Sequence, residues 1–211
     1  MRSVKETSRR FWNKAARKYA ARAVGDEAAY AHTLERVRAH IDGVERVLEV
    51  GCGTGTTAFK LAGCVGAYTA SDLSEEMIDI ALEKAAAADD TKIRFLRAAL
   101  SDLPAEELPY DAVLAFSVLH LMEDPRAAVS RIADRLRPGG LFLSKTVCLG
   151  DMNPVFRFII PVMRLFGKAP LVHFLTAKDV EAIISEGGFE IVETGTFPKS
   201  PPARFVVGRK T

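Results

Sequence analysis

The sequence has no apolar run approaching the roughly 18–20 uninterrupted residues that cross a bilayer, and its N-terminus has no signal-peptide core. Cysteine is scarce. Cys52, Cys64 and Cys148 are odd in number, far apart and outside any CxxC or Cys/His ligand spacing. These absences lead us to expect a cytoplasmic protein with free thiols and no bound metal. Repeats and low-complexity tracts are also missing. What is present is ample for a core: 211 residues, 48% of them hydrophobic and 27% charged.

The net charge is only +2 but it is unevenly placed. Residues 1–22 carry Arg2, Lys5, Arg9, Arg10, Lys14, Arg17, Lys18 and Arg22 against a single acid, Glu6. Residues 152–172 carry Arg157, Arg164 and Lys168 and no acid. The rest of the chain is therefore acidic in balance, with two basic appendages.

Helices are expected over 7–22 and 26–40, the second capped near Gly25-Asp26. Short apolar runs at 46–50, 66–71, 93–97, 112–117 and 141–147 then alternate with helical stretches near 56–62, 75–88 and 125–136. That alternation predicts parallel βαβ units wound on both faces of one sheet. A helix near 176–186 leads into strands near 187–197 and 204–209, which a short turn-rich link makes antiparallel. The Arg137-Pro138 pair in LRPGG (136–140) is expected to end a helix before Gly139-Gly140 turns into the fifth strand.

The stretch VLEVGCGTG (47–55) places Gly51, Gly53 and Gly55 at the carboxyl end of the first strand. In a doubly wound sheet this is where ligands bind, and glycine lets them approach the main chain closely. Asp72 follows 21 residues after Gly51 at the end of the second strand, where a carboxylate meets both hydroxyls of a ribose. The spacing is GxGxG, not the GxGxxG of dinucleotide sites, and no Gly-Lys-Ser/Thr phosphate loop is present. Glu49 adds negative charge beside the loop, which repels a pyrophosphate and attracts a ligand bearing an ammonium and a sulfonium. S-adenosylmethionine is such a ligand.

The segments EVGCGTG, SDLSEEMID (71–79) and LRPGG together resemble the class I S-adenosylmethionine-dependent methyltransferases, in particular the small-molecule branch containing ubiquinone and menaquinone biosynthesis enzymes. The resemblance covers about residues 10–147. It implies an α/β fold, a doubly wound, mostly parallel, Rossmann-like sheet of seven strands with the last one antiparallel. An N-terminal helical lid (1–43) and a methyltransferase core (44–211), with 150–175 as an acceptor-side helical insertion, complete the expected organisation. The implied cofactor is S-adenosylmethionine, with S-adenosylhomocysteine as product.

Carried across, the resemblance puts backbone at Gly51 and Gly53 against the methionine part, Asp72 on the ribose, and Leu73 and Met77 beside the adenine. Ala99 stands in ALSDLP (99–104) where the family usually has an acid, a loss of about 1–1.5 kcal/mol for one hydrogen bond. The N–H of Leu100 is expected to meet an adenine nitrogen, while Phe116 and Ser117 line the cofactor. Tyr19, in FWNKAARKYA (11–20), closes over it and Trp12 packs the lid. Core packing is the plainer alternative for Met77 and for the lid aromatics.

His120 is the catalytic candidate. It is expected as the only histidine near the cleft, facing the methyl group or the acceptor with a near-neutral pKa, as a base or as a pocket-shaping residue. The inserted segment is apolar nearly all round, and Phe156, Ile159, Met163 and Phe174 are expected to wall an acceptor pocket. The same segment also suits a second subunit, a peripheral membrane surface or plain core packing, with monomer and homodimer both open. The expected partner is a small, apolar acceptor drawn by a positive lid, so an acid or phosphate on it is favoured. Nucleic acid is disfavoured, since no Asn/Asp-Pro-Pro-Tyr-type motif follows the fourth strand. A nucleic-acid or protein methyltransferase, a non-catalytic cofactor-binding protein and an NAD-linked oxidoreductase stand as alternatives.

Overall fold

A computed structural model describes residues 3–88, 92–104 and 109–211; Arg2 of the basic N-terminal stretch lies outside them. Two helices, α1 (Val4–Ala20) and α2 (Glu27–Ile41), precede β1 (Arg46–Val50), α3 (Thr56–Leu61), β2 (Ala67–Asp72), α4 (Glu75–Ala87) and β3 (Ile93–Arg97). The chain continues through β4 (Tyr110–Phe116), α5 (Pro125–Arg135), β5 (Leu136–Val147), α6 (Phe156–Leu165), α7 (Ala177–Glu186), β6 (Phe189–Lys199) and β7 (Pro202–Lys210). Helix starts follow side-chain chemistry: Asp26, Ser74 and Asp124 each accept a hydrogen bond from a first-turn N–H, and Thr176 with Asp179 forms a capping box.

Among the described residues the strands form one sheet in the order β3-β2-β1-β4-β5-β7-β6. The pairs among β1–β5 are parallel, and β7 runs antiparallel between β5 and β6. The reversed strand is thus one place in from the edge. Period-2 alternation sends Leu48, Val50, Val113, Phe142 and Val206 to a core shared with α5 and α7. Their neighbours Val47, Leu114, Leu143 and Phe205 face a second core with α2, α3 and Ile78 of α4. Helices therefore cover both faces, as the βαβ pattern requires. Sequence order reverses between β1 and β4, and the crevice opens at their carboxyl ends.

Two local expectations change. α1 begins at Val4, not at 7, because the Ser3 hydroxyl accepts from the N–H of Glu6. LRPGG lies within β5: Leu136 pairs with Tyr110 and Leu141 with Ala112, so the intervening residues bulge out of the ladder instead of ending it.

α2 contributes Leu34, Val37 and Ile41 to the second core. Arg36 and His40 both bond Glu193 of β6 at 2.7 Å, and this holds the Glu193 carboxyl down at about 2. α1 docks differently, on α4, through Ala16 against Met77 and Ile80.

Candidate active site

The β1–α3 turn is bare main chain at three left-handed positions: φ is +70° at Gly51, +55° at Gly53 and +75° at Gly55. A Cβ on Gly51 would meet the side chain of Val118 at 2.5 Å, so nothing larger fits between the turn and the end of β4. The turn is fixed by Asp72, whose Oδ2 accepts from the N–H of Gly53 at 3.0 Å and whose Oδ1 accepts from the N–H of Ser74 at 2.8 Å. Asp72 is buried, and desolvation raises its pKa while these backbone donors pull it back. Across the crevice Ser117 has φ +56°, a left-handed, strained conformation at the end of β4 of the kind that gathers at functional sites.

These groups face one continuous cavity of about 810 Å³, within the range of small-molecule sites. Every expected cofactor residue except Glu49 lines it: Tyr19, Gly51, Gly53, Asp72, Leu73, Met77, Ala99, Leu100, Phe116 and Ser117. Trp12, Met163 and His120 line it too.

Glu49 is corrected. It does not line the cavity; Val50 points there, and the alternation of a strand turns Glu49 to the opposite face. It is buried and accepts from the Tyr68 hydroxyl at 2.9 Å. Burial raises its pKa to about 8, with Asp72 adding to the rise. At neutral pH this carboxyl holds its proton, so it places no standing negative charge beside the loop.

His120 is corrected in its surroundings. It is not alone: the N–H of His173 donates to the His120 carbonyl at 2.8 Å. Burial first, and the charge of His173 second, lower the His120 pKa to about 4, so the imidazole is neutral at pH 7. Among the described residues its Nδ1 is buried without a hydrogen-bond partner, as is Nε2 of His173.

The acceptor wall is also corrected. Ile160 and Met163 of α6 face the cavity, with Ala169, Pro170 and Val172 beyond them, whereas Phe156, Ile159 and Phe174 are not part of the lining. On a helix the step from 159 to 160 is about 100°, which leaves Ile159 44% exposed on the outside. Phe156 lies one turn beyond Ile160, past the end of the wall. Phe174 follows Val172, with its carbonyl packed against Gly150.

Four of the seven described cations of the basic lid are ion-paired. Lys5 bonds Asp102 at 2.7 Å, Arg9 pairs with Glu6 and Glu75, Arg10 with Glu6, and Arg17 with Glu83. Exposed pairs of this kind add little stability, but they cancel much of the expected positive field. Three residues were given no place at the site by the sequence. Asn13 donates to Glu75 and accepts from the Ser74 hydroxyl, both at 2.7 Å, clipping α1 to the turn that carries Asp72. Lys5 and Arg131 place cations in the cavity lining. The signal for Asn13 was its place amid FWNKAARKYA, where only the aromatics drew notice.

A family profile described as a methyltransferase domain matches residues 48–142, which span the glycine turn, Asp72, Ser117 and His120. That stretch is similar to a methyltransferase domain. An O-methyltransferase of Aspergillus nomiae is 29% identical over 153 residues, 71% of this chain and 66% of that protein. A demethylmenaquinone methyltransferase of Clavibacter sepedonicus is 30% identical over 132 residues, 63% of this chain and 51% of that protein. The chain thus spans about half to two thirds of the length of these curated relatives. Among solved structures, the magnesium protoporphyrin IX methyltransferase of Synechocystis with bound SAH superposes with a TM-score of 0.76. It is 20% identical, over 99% of this chain and 100% of that one, and supports the fold. The matched stretch therefore supplies the turn, the carboxylate and the strained Ser117, while α1 and α6 close the cavity from outside it. Among the described residues no helix is long and apolar enough to cross a membrane, and no group of three or more His, Cys, Asp or Glu could hold a metal.

Proposed function

We propose that the protein is an enzyme that binds S-adenosylmethionine in this cavity and transfers its methyl group to a small, apolar acceptor. The observation that carries this reading is the meeting, in one cavity, of a glycine turn, a buried carboxylate and an apolar wall. The cradle fits such a cofactor: Gly51 and Gly53 present bare main chain to the cavity, and Asp72 offers its remaining lone pairs to a ribose. The cation bonded to the turn, Lys84 on Thr54, is not part of the cavity lining and so is not placed to meet a phosphate there. Leu73, Met77, Ala99 and Leu100 would flank the adenine, Phe116 and Ser117 the sulfur side, and Tyr19 and Trp12 would form the lid.

When bound, S-adenosylmethionine supplies a methyl carbon already activated on a sulfonium. The chain's own contribution is placement and exclusion of water, which together account for several kcal/mol of barrier. Ile160, Met163 and Val172 would hold the apolar acceptor, with Arg131 meeting an acidic group on it. Residues 1–43 would act as the lid of a 44–211 core, and 150–175 as its acceptor-side insertion. The relatives' names, an O-methyltransferase and a demethylmenaquinone methyltransferase, favour a small molecule. Free cysteines suit the cytoplasm.

For a hydroxyl acceptor His120 would take the proton. Its pKa of about 4 keeps the ring neutral throughout the physiological range, and His120 lines the cavity in which the acceptor would lie. We expect S-adenosylhomocysteine to form when the protein is incubated with S-adenosylmethionine and a long-chain alkyl phenol. In His120→Gln, kcat should fall by about 100-fold or more with unchanged cofactor affinity, and His120 should add no limb to the pH profile between 5 and 8. A Gln variant with wild-type kcat would reduce His120 to a pocket-shaping role. No product with any apolar acceptor would defeat the enzymatic reading.

A further inference from the structure

α6 has three faces. Ile160 and Met163 look into the cavity. Arg157 and Arg164, two turns apart, form an exposed cationic flank, continued by exposed Lys168. The third face consists of Val155, Phe158, Ile159, Val162, Leu165 and Phe166, all exposed, with Leu165 at 83%, Phe158 at 75% and Phe166 at 71%. Scattered surface apolar residues are ordinary, but four on one short helix and one at each of its caps make a patch, and a patch of this kind marks an interaction surface.

The charge pattern and the size of the patch decide between occupants. A second copy of this chain would have to bury roughly 800 Å² per partner to form a stable dimer. A ten-residue helix is only about 15 Å long, and one of its faces falls well short of that area. A bilayer surface needs less: an apolar face sunk into the headgroup boundary, with cations beside it for anionic lipid. Arg157, Arg164 and Lys168 supply those cations; no acid lies between residues 152 and 172, although Asp179 lies within electrostatic range of Arg157. The lid cations do not compete for this role, because most are already paired.

We infer that the outer face of α6 docks the protein on an anionic membrane surface. The opposite face of the same helix walls the cavity, so docking sets the acceptor side of the cavity against the lipid. An apolar acceptor dissolved in the bilayer then has a short path to Met163, which is both 39% exposed and part of the lining. The docking itself stands apart from the proposed chemistry, since it is read without cofactor or acceptor.

The test is co-sedimentation of the full chain with vesicles of phosphatidylcholine, alone or mixed with phosphatidylglycerol, at low and high salt. The wild-type chain should pellet with the anionic vesicles at low salt. Binding should be about tenfold weaker or more on phosphatidylcholine and at high salt. Phe158→Ser/Leu165→Ser/Phe166→Ser should stay in the supernatant, and Arg157→Gln/Arg164→Gln/Lys168→Gln should lose the preference for anionic lipid. Circular dichroism and thermal melting confirm that each variant folds; if the serine variant does not, the glutamine variant decides. Wild type that ignores anionic vesicles, or a folded serine variant that pellets like wild type, would overturn the inference. So would a wild-type dimer, seen by velocity sedimentation, that the serine variant splits, since the face would then belong to a second copy.

Discussion

Asp72→Ala is expected to weaken binding of S-adenosylhomocysteine by about two to three orders of magnitude. Hydrogen bonds to a charged acceptor contribute about 1.5–3 kcal/mol each, and a ribose offers two. A combined loss of about 3–4 kcal/mol corresponds to that range, at about 1.4 kcal/mol per factor of ten. The substitution also strips the N–H groups of Gly53 and Ser74 of their acceptor, so the glycine turn loosens as well. Asp72→Asn keeps the shape and one acceptor oxygen, and should fall between alanine and wild type. Isothermal titration with each folded variant reads the effect directly. Affinity within threefold of wild type for the alanine variant would remove Asp72 from the binding site.

The second large effect concerns Glu49 and pH. Its folded pKa of about 8 lies above the ordinary carboxyl value of 4.5, because burial disfavours the charged form. Between those values the folded state binds more protons than the unfolded state, so Glu49 makes the fold less stable as pH rises. The slope approaches about 1.4 kcal/mol per pH unit in the middle of that window. Below 4.5 both states are protonated and the penalty is absent. Glu49→Gln removes the titration, so its stability should hold where that of wild type declines from pH 5 to 8. Denaturant melts of both proteins across this interval provide the comparison. Parallel curves would mean that Glu49 does not carry a raised pKa.

The sheet was legible because its strands alternate. Val47 and Leu48, or Phe142 and Leu143, need only a period of two to be assigned to opposite cores, and β1–β5 fall where the apolar runs lie. The glycine turn and Asp72 were legible because their spacing is tied to the first crossover of this fold. What stayed hidden depends on distance and rotation. The pattern of β1 gave Glu49 a side of the strand but not its depth beneath Tyr68. α6 is apolar almost all round, so its sequence carries no phase, and the inward residue is Ile160 instead of Ile159. His173 lies far along the chain from His120, and only the folded insertion brings the two together. The lid cations looked free because their acids, Glu75, Glu83 and Asp102, sit on other elements.

Calorimetric titration of the purified chain with S-adenosylhomocysteine and, separately, with NAD tests most directly what this cavity holds. Trp12, the single tryptophan, lines the cavity and gives an independent fluorescence readout. We expect saturable one-to-one binding of S-adenosylhomocysteine with a change in Trp12 emission, and no heat with NAD. Binding of NAD with none of S-adenosylhomocysteine would contradict a methyltransferase cofactor site between β1 and β2.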